Sequence, residues 1–317
     1  PAKKAGIKSG DYIIKIDTSP VNGLSLKESV ALMRGEIGTD ITLIIVREGE
    51  SKPLTKKITR DIIKIKSVKS ELIDGKYGYI RIAQFQSNTT KNLETAIVKL
   101  QKQAKGNLRG FILDLRDNPG GILDAAVEVS DLFLNNKSLN YHKLIVSTKG
   151  RAYDSSMQEY SKTKDKTNGL PLVVLVNNGS ASASEIVAGA LQDHHRAIIA
   201  GSKTFGKGSV QTILGITQDQ ALKLTTALYY APNGRSIQAQ GIVPDVEISN
   251  ITVKEIERPR FIMSKEADLK NHLDVNKKIT LKKVKDKKSY NDDMLKSDYQ
   301  LHQAINILKS VVIAKKI

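Results

Sequence analysis

A chain of 317 residues, 40% hydrophobic and 26% charged, is long enough for two domains with a sizeable core, and the composition is that of an ordinary globular protein. No apolar run approaches the length of a membrane span, no signal peptide is evident, and the absence of cysteine excludes disulfides, thiolate metal sites and a cysteine nucleophile, which fits an oxidising envelope compartment. A formal charge of +17 admits nucleic acid, an anionic surface or acidic substrates as partners. Much of the excess lies in lysine runs such as residues 277–288, which read as a solvated segment, and the 5% of aromatics do not alternate with them, so no nucleic acid is expected.

In chain order, residues 10–16 have a strand-like core, residues 25–34 set Leu26, Val30 and Met33 at helical spacing with Gly35 after them, and residues 41–46 form a strong strand pattern. Residues 1–62 are therefore expected to make most of a small β-rich domain. Ala5, Gly6, Gly10, Asp11 and Ile13 make up an Ala-Gly-(x)3-Gly-Asp-x-Ile motif, which resembles that of PDZ domains. The resemblance implies capture of a peptide as an added strand beside the helix at 25–34. The first PDZ strands and the carboxylate-binding loop would precede Pro1, so the sequence reads as a fragment with a partial PDZ domain. A degenerate domain that no longer binds peptide is an equal alternative.

The core is expected at 63–250. Residues 77–82 alternate like a strand, and a helix carries Leu93, Ala96, Ile97, Leu100 and Ala104 on one face. Residues 111–115 read as a buried strand, residues 116–121 (RDNPGG) as a turn, and Ile122, Ala125, Ala126, Val129, Leu132 and Phe133 as one side of a helix. A strand, a glycine-rich turn and a helix converge backbone N–H groups on an anion. The polar stretch 147–169 is expected to be a surface excursion. Leu172–Val176 reads as a buried strand, followed by a small-residue turn and a helix with Ile186, Val187, Ala190 and Leu191 on one face. A second apolar run at 197–200 leads to Lys207 between Gly206 and Gly208, and residues 222–230 form a further strand whose Tyr229 and Tyr230 receive no catalytic role. Residues 251–317 are a basic extension with an amphipathic helix through Leu301, Ile305, Leu308 and Val312, packing on the core or on a second subunit.

Ser180, Ser182 and Ser184 sit at the turn before that helix, where free N–H groups stabilise an oxyanion. Ser182 to Glu185 also fits a capping box, in which the hydroxyl merely closes a helical turn. Residues 201–207 match a phosphate-binding P-loop up to its last position, where Gly208 replaces the magnesium-binding hydroxyl, so nucleotide binding is a minor alternative. Asp193, His194 and His195 offer a conventional serine–histidine arrangement, but histidines so far along the helix point away from its first turn.

Together, residues 179–185 (GSASASE) and 204–211 (TFGKGSVQ) resemble the carboxyl-terminal processing, or tail-specific, proteases. The likeness runs to about residue 248 and includes the DLRDNPGG stretch at 114–121 and the phrases at 231–237 and 241–245. It implies Ser182 as nucleophile, Lys207 as general base, Gln211 as the residue orienting the lysine, and Gly121 (or Gly120) with Ala183 as the oxyanion-hole donors. A lysine base must be neutral when it acts, so the site is expected to be largely dry. The implied fold is α/β, with strand-strand-helix units like those of the crotonase and Clp protease group. The implied reaction is peptide hydrolysis through an acyl-enzyme, with no metal or organic cofactor. Partners by the same resemblance are proteins or peptides with accessible C-termini, a homo-oligomeric copy and an envelope-associated regulator, in a bacterial envelope or periplasm. A PDZ-bearing adaptor with an inactive core is the non-enzyme alternative.

Overall fold

The computed structural model describes residues 1–2, 4–7, 10–47, 49–62, 66–135, 139–151, 156–217, 220–251 and 297–315, which divide into a first unit, Pro1–Ile65, and a second, Lys66–Ile317. The basic run at 277–288 lies outside the described residues.

In the first unit the alternation of Ile41, Leu43 and Ile45 turns one face of a sheet inward, where these residues are buried with Ile16 and Ile58. The strands are β1 (Tyr12–Ile16), β2 (Ser19–Pro20), β3 (Asp40–Val46) and β4 (Leu54–Thr59), in the order β2-β1-β3-β4 and antiparallel throughout. Between β2 and β3 runs α1 (Leu26–Met33), opened by Ser25 and Glu28 as a capping box in which the Ser25 N–H donates to Glu28 Oε2 at 2.7 Å. Asp11 of the glycine-aspartate motif holds Arg47 through two hydrogen bonds of 2.7 and 2.9 Å.

The second unit opens with β5 (Val68–Ile73), β6 (Tyr77–Ile82), α2 (Thr89–Gln103), β7 (Gly110–Asp114) and α3 (Leu123–Asp131). It continues with β8 (Leu144–Gly150), β9 (Met157–Tyr160), β10 (Leu172–Val176), α4 (Ala183–Asp193), β11 (Ile198–Gly201), β12 (Ser209–Gly215), β13 (Ala221–Tyr230), β14 (Val246–Glu247) and α5 (Tyr299–Ala314). A six-stranded sheet has the order β14-β11-β10-β7-β6-β5, parallel except for β5. Every residue of β7 and β10 is buried, because helices cover both faces of the sheet. Val174 and Val176 pack with α2, α3 and α4, while Val173 and Leu175 pack with Leu301, Ala304, Ile305 and Leu308 of α5. Each such aliphatic side chain contributes roughly 1.5–3 kcal/mol by leaving water. The amphipathic pattern near the C-terminus is thus the stripe that α5 lays on this sheet, with Val312 half-buried at its far end.

Two expectations need correction. Residues 147–169 do not run as a plain surface excursion: β8 and β9 form half of a third sheet, order β12-β13-β8-β9, in which Tyr230 faces Ser147 and Ala227 faces Gly150. Hydrogen bonds to a strand distant in sequence hold this polar segment, and Ser147 and Thr148 are buried there. Ile122 does not belong to the buried side of α3; it is the extended N-cap residue and remains 46% exposed.

Candidate active site

The carboxyl ends of the parallel strands gather the loops singled out from the sequence, as ligand sites in open α/β sheets do. After β10 the chain turns through Asn177 to Ser182 and enters α4. Ser182 has φ 55° and ψ −113°, a conformation that non-glycine residues adopt only where the surroundings impose it. Its neighbours are committed elsewhere. The Ser180 hydroxyl donates to Leu115 O at 2.8 Å, the Ser184 hydroxyl donates to Asn118 O at 2.9 Å, and both serines are fully buried. Ser182 alone of the three is partly exposed.

Helix α4 is buried on every side from Ala183 to Leu191, and Glu185 within it is 0% exposed. Its carboxylate accepts four hydrogen bonds: Oε2 from the Ser182 N–H at 2.8 Å and the Lys207 N–H at 2.9 Å, Oε1 from the Gly206 N–H and the Thr204 hydroxyl, both at 2.6 Å. The capping box is therefore formed, but its glutamate also binds the glycine-rich loop and makes Ser182 and Lys207 neighbours in space. Local pattern gave Glu185 only the capping role, because the loop it holds comes some twenty residues later.

The Lys207 loop is clamped by main-chain contacts. A Cβ at Gly208 would lie 2.3 Å from the Gln238 nitrogen, and the Gly208 carbonyl accepts the Tyr229 N–H at 2.6 Å. Gly206 has φ +91° and its carbonyl accepts the Ala239 N–H at 2.9 Å. Lys207 Nζ donates to Gln211 Oε1 at 3.5 Å. The expectation of a dry site is not met, since Lys207 is half-buried and Gln211 exposed. Both lie at or next to β12, an edge strand of its sheet.

From β7 the chain reaches the second glycine-rich turn. Asn118 organises it, with Nδ2 donating to Ile82 O at 2.8 Å and Oδ1 accepting the Gly120 N–H at 2.9 Å. That bond uses the Gly120 donor, whereas the Gly121 N–H makes no hydrogen bond among the described residues. Of the two glycines, Gly121 is thus the free donor. A Cβ at Gly120 would stand 2.9 Å from Ser182 Cβ and 3.0 Å from the Ala183 nitrogen, with φ at +101°, so this turn rests directly on the serine turn and tolerates no side chain. Ala183 supplies the first N–H of α4, at its positive end.

Behind the turn, the buried Asp114 accepts Tyr79 OH at 2.7 Å, Arg81 Nη1 at 3.0 Å and Arg116 Nη2 at 2.8 Å. Burial pushes its carboxyl pKa up, but hydrogen bonding and charge from Arg116, with help from Arg81, outweigh that and hold it below the usual carboxylate range. A group lowered by folding contributes stability that is complete above its unfolded value, about 3.9, and is lost as pH falls through the folded value. The melting temperature is expected to drop as pH falls from 5 to 2.5, and Asp114→Asn, although less stable at neutral pH, should show a shallower drop.

The alternatives separate on geometry. His194 and His195 follow α4 at its C-terminal end, roughly 18 Å from Ser182 by the helical rise, and His194 Nε2 pairs with Leu144 O at 2.7 Å. Asp193 turns instead to Asn233, at 3.1 Å, and Arg235, at 3.2 Å, and burial raises its pKa. The loop read as a partial P-loop directs the Gly206 and Lys207 N–H groups at a carboxylate, which leaves no cradle there for a phosphate.

Beside Gly121 and Gln211 opens a cleft of about 750 Å³, walled by Phe85, Ile122, Leu123, Val210 and Tyr229 with Gln84, Gln86, Ser87 and Asn88 along one lip.

A family profile described as peptidase family S41 matches residues 76–248. A carboxy-terminal-processing protease of Bartonella bacilliformis is 46% identical over 317 residues, covering 98% of this chain and 70% of the relative. A carboxyl-terminal-processing protease of Synechocystis is 38% identical over 265 residues, covering 82% of this chain and 60% of the relative. The chain thus spans between 60% and 70% of the length of these two relatives. Among solved structures, a photosystem II D1 C-terminal processing protease is 32% identical with a TM-score of 0.53, covering 78% of this chain and 65% of that one. A chain from Bacteroides fragilis, 21% identical with a TM-score of 0.58 over 78% of this chain and 68% of its own, shares the fold. By profile, by identity over nearly its whole length and by fold, the chain belongs to peptidase family S41.

Proposed function

We propose that this chain is a serine endopeptidase that cleaves protein substrates at or near their C-termini through an acyl-enzyme on Ser182, with Lys207 as its base. The observation that carries the reading is the shared carboxylate: Glu185 Oε2 takes both the Ser182 and the Lys207 N–H and so holds the two loops together.

Lys207 Nζ takes the Ser182 hydroxyl proton as Oγ attacks the scissile carbonyl, and returns it to the leaving amine. The tetrahedral oxyanion is held by the N–H groups of Gly121 and Ala183, each worth about 3 kcal/mol in the transition state. Water, deprotonated by the same lysine, then releases the acyl group. Gln211 orients Nζ, in keeping with its 3.5 Å approach. Substrate lying along β12 would displace water from the exposed side of Lys207, which supplies the dryness a neutral amine needs. The apolar walls of the adjoining cleft suit an apolar substrate side chain. The first unit, an antiparallel sheet with α1, supports its reading as a PDZ-like capture module. A bacterial envelope location belongs to the same proposal.

A serine-directed fluorophosphonate probe tests it. The intact protein should label on Ser182, and Ser182→Ala should not label at all; a full-length protein that stays unlabelled would instead be an adaptor with an inactive core.

A further inference from the structure

Helix α5 does more than cover the sheet. Its N-cap residue, Asp298, accepts the Leu301 N–H at 3.0 Å and meets Arg116 with both carboxylate oxygens, Oδ1 to Nη1 at 2.8 Å and Oδ2 to Nη2 at 2.7 Å. Gln300 adds its Oε1 to Arg116 Nη1 at 3.2 Å and anchors itself through Nε2 to Ile248 O at 2.8 Å. The guanidinium is thereby gripped from two sides, by Asp298 and Gln300 and by Asp114, and Arg116 is 8% exposed. Paired, planar contacts of this kind fix orientation as well as charge.

Arg116 begins the turn that ends at Gly121. Its own carbonyl accepts Arg81 Nη2 at 3.0 Å, and the residues that follow depart from ordinary backbone: Asp117 has φ 56°, Gly120 +101° and Gly121 +145°. Such a turn keeps its shape only while its ends are held. In its middle Asn118 O accepts the Ala181 N–H at 3.0 Å, beside the nucleophile, and at its far end Gly120 O accepts the Phe85 N–H at 2.9 Å.

We propose that Asp298 is a positioning residue for the reaction: docking of α5 clamps Arg116 and thereby sets the Arg116–Gly121 turn, and with it the oxyanion donor of Gly121. The proposal rests on the reading of Gly121 as that donor. It gives the N-cap of the C-terminal helix, more than a hundred residues beyond the nucleophile, a part in positioning the oxyanion donor, separate from the apolar packing of the rest of that helix.

The test uses Asp298→Asn in the full chain. Asparagine caps a helix about as well as aspartate, so α5 stays capped while the charge and one of the two acceptors facing Arg116 are lost. A peptide boronate, whose oxygen occupies the oxyanion position, serves as probe. The expected result is a kcat about tenfold lower with unchanged KM, a similar loss of boronate affinity, and faster amide hydrogen exchange in the segment 115–121 with exchange in 299–314 unchanged. Ile305→Val, which trims the packing of α5 but leaves Asp298 in place, should lower the melting temperature with kcat unchanged. Wild-type kcat, boronate affinity and exchange in Asp298→Asn would overturn the proposal, as would an equal loss of kcat in Ile305→Val. Absence of fluorophosphonate labelling in the wild type would sink the peptidase reading alone, because hydrogen exchange still reports whether Asp298 holds the turn.

Discussion

Lys207→Ala is expected to lower kcat for peptide hydrolysis by about four orders of magnitude or more, with little change in KM. A serine hydroxyl attacks slowly unless a base within reach takes its proton, and two other titratable groups of the region are spoken for. Glu185 is saturated by four donors, and His194 lies at the opposite end of α4. The loop should survive the change, because the residue 207 N–H, not its side chain, binds Glu185. Lys207→Arg sharpens the comparison. Guanidinium keeps the charge and the stem but does not give up its proton in proteins, so an arginine variant should be as inactive as the alanine one. Wild-type turnover in Lys207→Arg, measured on a quenched peptide substrate, would show that the position supplies charge rather than a base.

Glu185→Gln is expected to cost both stability and turnover, although the two side chains are nearly isosteric. The carboxylate serves two donors on each oxygen, and an amide can serve them on one side only. On the other side its NH2 faces either Thr204 and Gly206 or Ser182 and Lys207. Each buried donor left without an acceptor costs roughly 1–3 kcal/mol, so a loss on the order of 4 kcal/mol is expected, read as a fall in urea midpoint at constant slope. Turnover should fall at least about a hundredfold, because relaxation of either pair separates the serine turn from the lysine loop. A glutamine variant with wild-type midpoint and kcat would mean that the main-chain clamps at Gly206 and Gly208 suffice without the carboxylate.

Ser182 and Lys207 stood out as candidates because they fall in short motifs of specific residue types, and glycines at 120, 121, 206 and 208 announced backbone approaches too close for a side chain. The strands β7 and β10 were legible because burial on both faces leaves a continuous apolar run. By contrast β8 and β9 were missed, since a strand whose buried residues include Ser147 and Thr148 has no apolar alternation to read.

Read alone, the amino-acid order determined the buried strands and the helices that cover them, the candidate site residues and the family likeness, because periodicity and motif spacing are local properties. Only the tertiary structure decided which of three serines stands open, that Gly121 rather than Gly120 keeps a free N–H, that Glu185 ties two loops together, and that α5 lies on the sheet with Asp298 against Arg116. The reason is physical: which hydrogen bonds are spent, and which donors are left over, depends on partners brought together from distant parts of the chain.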